Sequence, residues 1–131
     1  MLTSSQSELL HAARSARENA YAPYSRFAVG AAVRGQSGKV YVGCNIENAS
    51  YGLSICAERV AIFQAVCAGE RKIVELALVT DDDPPSRPCG ACRQVLFEFG
   101  ADATVIMGNL SGAVVVRSLN ELFPEPFELR R

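Results

Sequence analysis

Two segments of this chain decide its fold: CAERVAIFQAVC at residues 56–67 and PCGACRQVLFEF at residues 88–99. Their apolar residues recur at helical spacing, so each segment predicts a helix with cysteine in or next to its first turn. Cys89 and Cys92 are three residues apart and face one side of the second helix. Cys56 opens the first segment and offers a third sulfur. The pattern predicts that two helix N-termini meet around one metal ion.

Zinc is the predicted metal, and the number of ligands indicates its use. Structural zinc sites close with four protein ligands, whereas three ligands leave one tetrahedral position open for water and chemistry. Glu58 lies in the same first turn as Cys56, so its carboxyl group is expected beside the open position without occupying it. Helix N-termini favour thiolate over thiol, and the thiolate is the form that binds zinc.

The remaining candidates for a fourth ligand are two cysteines and the single histidine. Cys67 lies about 16 Å from Cys56 if the helix continues, too far to share one metal, and is interpreted as a core residue. Cys44, at a predicted strand end, and His11, on the first predicted helix, stay open in principle. A buried thiol and a surface-facing side chain are the favoured interpretations of these two residues.

Positive charge is expected near the sulfurs. Zinc with three thiolates carries a formal charge of −1, which weakens its ability to acidify bound water compared with a site containing neutral histidine. Arg59 and Arg93 each directly follow a motif residue. Arg59 is three residues from Cys56 on the same helix, so a role toward the sulfur is favoured for it, and the role of Arg93 stays open.

The coarse order of elements predicts an α/β layered domain. A first helix capped by Ser4 or Ser5 is expected to end at Ala22-Pro23, and a helical turn is expected to begin at Ser118. The two cysteine-bearing helices alternate with the strands, and residues 1–131 are expected to form one domain. The predicted strands are Phe27–Val33, Val40–Ile46, Ile73–Thr80, Val105–Met107 and Val114–Val116.

Composition limits the classes of partner and the compartment. The chain of 131 residues is 49% apolar with a net charge of −1, so no nucleic-acid partner is expected and a small neutral substrate fits better. No apolar run is long enough to span a membrane, and the first residues lack a secretory pattern. The odd count of five cysteines argues against a disulfide framework. These features together predict a cytoplasmic protein.

Four motifs in order closely resemble the small, homotetrameric, zinc-dependent cytidine deaminases, and the resemblance spans roughly residues 20 to 127. They are PYSRF at 23–27, GCNIENA at 43–49, CAER at 56–59 and PCGACRQ at 88–94. The wider zinc deaminase superfamily often has His-x-Glu where this chain has Cys-Ala-Glu, a form similar to the free-nucleoside branch. The resemblance implies a three-layer α-β-α sandwich with a mixed five-stranded sheet.

The resemblance implies hydrolytic deamination of cytidine and 2′-deoxycytidine to uridine and 2′-deoxyuridine in pyrimidine salvage. One Zn²⁺ ion per subunit is expected, held by Cys56, Cys89 and Cys92. In this hypothesis zinc-bound water gives its proton to Glu58, and hydroxide attacks C4 of the pyrimidine. Glu58 protonates N3 and then the departing ammonia, so it is the catalytic acid and base.

Substrate contacts are also implied by the resemblance. Asn45 and Glu47, two residues apart at a strand end, point to one side if the strand persists, and would bind the ribose 3′-hydroxyl. Phe27 would form an aromatic wall for the pyrimidine, and the backbone of Ala57 would help to position it. Ala49, Tyr51 and Phe127 are expected to complete the site of a neighbouring subunit in a homotetramer.

Other functions stay open at this stage. A related aminohydrolase acting on another cytosine compound would use the same machinery but different sugar-facing residues. A zinc-stabilised domain without catalysis would need Cys44 or His11 as its fourth ligand. Redox chemistry at Cys89 and Cys92 would leave Cys56 and Glu58 unexplained.

Overall fold

The computed structural model describes residues 1–129, so residues 130 and 131 of the expected domain lie outside it. Its helices and strands follow one another along the chain in the order that the sequence predicts. In order they are α1 (Ser4–Arg17), β1 (Gly30–Gly35), β2 (Val40–Cys44), α2 (Ala57–Cys67), β3 (Ile73–Thr80), α3 (Gly90–Phe99), β4 (Thr104–Asn109), β5 (Val114–Ser118) and α4 (Leu119–Leu122), with a 3-10 turn at Tyr51–Leu53.

The five strands form one mixed sheet in the order β2-β1-β3-β4-β5. β1 is antiparallel to both β2 and β3, β3 is parallel to β4, and β5 is antiparallel to β4. The strands β2, β3 and β4 therefore run in one direction. Since α2 follows β2 and α3 follows β3, both helices begin near the carboxyl ends of these strands, the edge where ligands bind in open α/β sheets.

Two apolar clusters cover the two faces of the sheet, which confirms the three-layer α/β fold. On one face, Leu9 and Ala13 of α1 pack against Ala32, Ala77 and Ile106. On the other face, the buried residues of α2 and α3 pack against the alternate strand positions, including Val33, Leu76, Leu78, Val105 and Met107. Successive strand residues point to opposite faces, so each strand contributes to both clusters.

The first helix differs from its prediction at both ends. Its N-cap is Thr3, whose side chain accepts the Gln6 backbone N–H while the Gln6 side chain accepts the Thr3 N–H, so Ser4 and Ser5 are not the cap. The helix ends at Arg17 rather than at Ala22. The chain leaves the helix there because Tyr21 pairs with the end of β2: its N–H donates to Asn45 O at 3.0 Å, and its carbonyl accepts the Glu47 N–H at 2.9 Å.

The contact of α2 with the sheet depends on a glycine. A Cβ at Gly43 would lie 2.5 Å from Ala61 N and 2.7 Å from Ala57 O, both in the backbone of α2. These atoms belong to the first turns of the helix, which carry the predicted site. A side chain here would push this helix away from β2, since backbone atoms cannot rotate aside.

No helix among residues 1–129 is long and apolar enough to cross a membrane.

We expect the substitution Gly43→Ala to lower the free energy of unfolding by about 2 kcal/mol or more, because the added methyl group overpacks the contact between α2 and β2. Urea denaturation followed by circular dichroism measures the change. Gly52→Ala is the matched control, because a Cβ at Gly52 meets no atom within 4 Å. Equal stability of the two variants would contradict this account of the packing.

Candidate metal centre and substrate cleft

The three predicted sulfur ligands lie together. Cys56 is the N-cap of α2 and Cys89 is the N-cap of α3, while Cys92 follows in the first turn of α3 and is buried. The Sγ atom of Cys89 is 3.9 Å from that of Cys56 and 3.5 Å from that of Cys92. All three sulfurs lie within 4.8 Å of one another. Pro88 immediately precedes the N-cap of α3.

The spacing of the sulfurs fits a tetrahedral zinc ion. Thiolates bound to zinc at about 2.3 Å and at tetrahedral angles are roughly 3.8 Å apart, close to the two distances in this cluster. Soft thiolate ligands select zinc over magnesium or calcium. The donor set and its geometry therefore fit Zn²⁺ and confirm the predicted metal.

Neither candidate for a fourth ligand joins the sulfurs. Among residues 1–129, the cluster able to hold a metal contains Cys56, Cys89 and Cys92 only. His11 lies on α1, on the opposite face of the sheet. Cys67 ends α2 and is exposed, so its interpretation as a core residue was wrong. Cys44 ends β2 partly buried, and burial raises the pKa of its thiol.

Electrostatics around Cys56 favour its thiolate. A hydrogen bond from Cys92 and the nearby guanidinium of Arg59 outweigh burial and lower the pKa of Cys56 to about 5. The Arg59 Nη2 atom donates to Cys56 Sγ at 3.3 Å. The same pair of sulfurs raises the pKa of Cys92, because its thiol keeps the proton and donates a hydrogen bond to the Cys56 thiolate, and burial acts in the same direction.

Arg93, whose role the sequence left open, contacts backbone rather than sulfur. Its Nε donates to Pro88 O at 2.8 Å, and its Nη1 donates to Leu122 O at 3.1 Å. This side chain therefore joins the loop before α3 to the end of α4.

Glu58 is 5% exposed, and its carboxyl group lines the cleft beside the sulfurs. Burial raises the pKa of Glu58 to about 7, and the negative charge of Cys56 acts in the same direction. A carboxyl group that titrates near neutral pH can accept a proton in one step and return it in the next. This residue therefore has the burial and position that proton transfer requires.

A cleft of about 320 Å³ opens beside the three sulfurs, and its volume is within the range of small-molecule sites. It brings together most of the predicted residues, namely Phe27, Asn45, Glu47, Cys56, Ala57, Glu58 and Cys89. Phe27 precedes β1, and Asn45 and Glu47 follow β2, so antiparallel pairing of these strands carries all three to the same edge as the sulfurs. The cleft thus brings the sulfurs and the Glu58 carboxyl group together with polar side chains.

The side chains of Asn45 and Glu47 already hold the wall of the cleft. Asn45 Oδ1 accepts the Val29 N–H at 2.9 Å, and its Nδ2 donates to Phe27 O at 2.8 Å. Glu47 Oε1 accepts the backbone N–H groups of Tyr24 and Ser25 at 3.0 and 3.1 Å. Both residues therefore fix the segment that carries the aromatic ring of Phe27.

The three residues predicted to complete the site of a neighbouring subunit do not line this cleft. Ala49 and Phe127 are exposed, with 69% of Phe127 accessible, and neither lines the cleft. Tyr51 is 75% exposed and lines a smaller adjoining cavity with Tyr24, Ser25, Glu47 and Ser54. Gln94 holds the backbone of Phe127 by two hydrogen bonds of 3.0 Å, which fixes the C-terminal segment on α3.

Sequence reasoning missed several residues of the cleft: Ser25, Thr80, Ser86 and Arg87. Thr80 lies at the carboxyl end of β3. Its hydroxyl group donates to Ser86 Oγ at 3.4 Å and accepts the Asp82 N–H at 3.1 Å. Ser86 donates to the Asp82 carboxylate, and Asn109 donates to Asp82 O at 2.9 Å. This network fixes the loop before Cys89. The position of Thr80 at a strand end was the one signal available in the sequence.

Comparison with known proteins gives consistent matches. The family model described as "Cytidine and deoxycytidylate deaminase zinc-binding region" matches residues 3–108. A cytidine deaminase of Halalkalibacterium halodurans is 52% identical over 120 residues, which cover 91% of this chain and 91% of that protein. A cytidine deaminase of Mycobacterium tuberculosis is 43% identical over 117 residues, 89% of this chain and 85% of that protein.

Solved structures agree with the sequence matches. The crystal structure of cytidine deaminase from Burkholderia pseudomallei superposes with a TM-score of 0.90 at 49% identity, covering 96% of this chain and 100% of that one. The structure from Mycobacterium tuberculosis gives a TM-score of 0.81 at 40% identity and covers 95% and 98% of the two chains.

We predict that Cys92→Ser loses most of its bound zinc, because a hydroxyl group at this buried position replaces a thiolate ligand. Cys67→Ser and Cys44→Ser are the matched controls and should keep about one zinc ion per chain, as in the unaltered protein. Elemental analysis of the purified proteins measures the metal. Loss of zinc from Cys44→Ser would instead identify a fourth ligand.

Proposed function

Because this chain belongs to the cytidine and deoxycytidylate deaminase family, we propose that it deaminates cytidine and 2′-deoxycytidine hydrolytically, yielding uridine and 2′-deoxyuridine with release of ammonia. The observation that carries this proposal is the buried Glu58 carboxyl group beside a cluster of three thiols, in a cleft large enough for a small molecule. The metal, the acid–base group and the cleft are the parts that this reaction requires.

The chemistry divides between the metal and Glu58. Cys56, Cys89 and Cys92 would hold zinc, which would act as a Lewis acid and make water a stronger nucleophile at neutral pH. Glu58 takes one proton from the attacking water and passes it to N3 of the pyrimidine. It then takes the second proton from the hydroxyl group added to C4 and gives it to the amino group, which leaves as ammonia while C4 becomes a carbonyl. Arg59 offsets the negative charge of the thiolates through its contact with Cys56 Sγ at 3.3 Å. Burial of Glu58 excludes bulk water from these proton transfers.

Substrate orientation is assigned to other residues of the cleft. Phe27 flanks the pyrimidine, the backbone of Ala57 helps to position it, and Asn45 and Glu47 bind the ribose 3′-hydroxyl. The position of all four residues in one cleft with Glu58 supports this assignment. A site that reads the 3′-hydroxyl accepts both cytidine and 2′-deoxycytidine, which suits ordinary nucleosides better than other cytosine compounds.

We expect Glu58→Gln to retain zinc and to lose turnover by at least about 1,000-fold, because the amide cannot transfer the protons. The measurement is the ultraviolet change of cytidine with time, with ammonia release and zinc content in parallel. Glu8→Gln, an exposed exchange on α1, is the matched control. A zinc-loaded Glu58→Gln protein that kept most of its turnover would remove the acid–base assignment.

A homotetramer with shared sites is the proposed assembly. The chain exposes aromatic and aliphatic side chains around the cleft and on α2 and the C-terminal segment, a composition typical of protein interfaces. These are Tyr21 at 55%, Tyr51 at 75%, Leu53 at 65%, Phe63 at 44% and Phe127 at 69% exposure. In this assembly Ala49, Tyr51 and Phe127 complete the site of a neighbouring subunit.

We predict that hybrids of Glu58→Gln and Phe127→Ala chains recover activity that neither variant has alone. In such a hybrid, an intact Glu58 meets the Phe127 supplied by the other chain. Co-expression with two different affinity tags isolates the hybrids, and light scattering gives their mass. A monomer in solution, or hybrids no more active than their parents, would rule out shared sites.

The cellular setting follows from the chemistry. All five cysteines are free, and the three sulfur ligands must stay reduced to bind zinc, which is typical of a reducing compartment, so we propose that the protein works in the cytoplasm. Deamination of free nucleosides returns cytosine nucleosides to the uridine pool, a step of pyrimidine salvage. Both apolar clusters pack on one sheet, which supports a single catalytic domain over residues 1–131.

A further inference from the structure

A serine hydroxyl lies between the residues assigned to the sugar and to the base. Ser25 Oγ donates to Glu47 Oε2 and accepts the Phe27 backbone N–H at 3.0 Å. The backbone N–H of Ser25 also donates to Glu47 Oε1 at 3.1 Å. Ser25 therefore joins the carboxylate of Glu47 to the backbone of Phe27, and it lines the cleft itself.

The hydrogen bonds of Glu47 leave little of its carboxylate for a ligand. A carboxylate has about four acceptor positions, two on each oxygen. Two backbone N–H groups, from Tyr24 and Ser25, occupy Oε1, and the Ser25 hydroxyl occupies part of Oε2. The position that remains is on Oε2, so its direction is set by the Ser25 hydroxyl.

We propose that Ser25 is a positioning residue that fixes Oε2 of Glu47 relative to the ring of Phe27, so that one nucleoside meets both at once. This inference rests on the function proposed above, in which Glu47 binds the 3′-hydroxyl and Phe27 flanks the pyrimidine. Ser25 acts on substrate binding, whereas Glu58 and the sulfurs act on the reaction.

The backbone around Ser25 shows why a positioning residue is needed. Arg26, directly between Ser25 and Phe27, has φ 58°, a left-handed conformation that non-glycine residues seldom adopt. Such a conformation persists only where surrounding contacts impose it. The contacts here are Arg26 N–H to Ala22 O at 3.0 Å and the bonds of Ser25 to Glu47.

Charge supports the same arrangement. The side-chain and backbone hydrogen bonds from Ser25 hold the pKa of Glu47 below its ordinary value. The carboxylate is therefore kept ionised and able to accept a hydroxyl proton. Ionised acceptors form stronger hydrogen bonds than neutral ones.

The test compares KM and kcat for Ser25→Ala with two substrates, cytidine and 2′,3′-dideoxycytidine. For cytidine we expect KM to rise about tenfold, the usual effect of losing a hydrogen bond to a charged group, with kcat within about twofold because the reacting groups lie elsewhere. For the dideoxynucleoside, which lacks the hydroxyl that Glu47 binds, the rise in KM should be much smaller. Ser25→Thr, which keeps a hydroxyl, should restore KM for cytidine.

Further variants make the result decisive. Ser7→Ala, an exposed serine on α1, is the matched control and should behave as the unaltered protein. Ser25→Cys keeps the shape of the side chain with a weaker donor, so it serves if Ser25→Ala fails to fold, and KM should again rise. Zinc content and melting temperature verify that each variant is folded.

Either of two results would overturn the inference: an unchanged KM for cytidine, or an equal loss for both nucleosides. Failure of the proposed function gives a different pattern, independent of Ser25. In that case the unaltered protein would not convert cytidine, or Glu47→Gln would leave KM for cytidine unchanged.

Discussion

Zinc binding at this site requires three thiolates next to a carboxyl group, and accommodating that negative charge is the constraint on which the rest of the structure depends. Two helix N-termini stabilise this charge. Cys56 and Cys89 are the N-caps of α2 and α3, so each lies at the positive end of a helix macrodipole. The guanidinium of Arg59 adds a positive charge against Cys56 Sγ. Zinc binding then neutralises most of the remaining charge. Sheet topology is what brings the two N-termini together, because β2 and β3 run in the same direction and deliver their following helices to one edge.

The same topology separates the residues proposed for the chemistry from those proposed for substrate orientation. The helices bring the sulfurs and Glu58 to the cleft, while the segments that flank β1 and β2 bring Phe27, Asn45 and Glu47 to it. These segments are irregular backbone, and side chains replace the hydrogen bonds that a sheet would have supplied. Asn45 satisfies Val29 N and Phe27 O, and Glu47 satisfies Tyr24 N and Ser25 N. The part of the cleft proposed to bind substrate is therefore built from long-range hydrogen bonds rather than from regular structure.

This difference explains what the sequence could predict. The strand Ile73–Thr80 and the cysteine-led helices were predictable because apolar periodicity and motif spacing are local signals. Phe27 to Val29 were predicted as part of the strand but lie before β1. The side chain of Asn45, rather than the backbone of β2, binds Val29 N and Phe27 O. The sequence could not reveal the contacts of Ser25 with Glu47 or of Thr80 with Ser86, because each depends on side-chain geometry at a loop. Cys67 was predicted in the core because free cysteine is usually a buried residue, yet it is exposed at the end of α2.

The double use of Asn45 bears on how this chain can change during evolution. Its oxygen and its nitrogen each bind backbone of the segment before β1, so aspartate lacks the donor that Phe27 O requires, and alanine lacks both groups. Selection on folding therefore restricts position 45 before any selection on substrate acts. An altered substrate range is more accessible through residues such as Arg87, which lines the cleft from an exposed loop and donates to Pro85 O of that same loop. Substitutions at the rim of this cleft can therefore alter specificity at a lower cost to folding than substitutions in its polar wall.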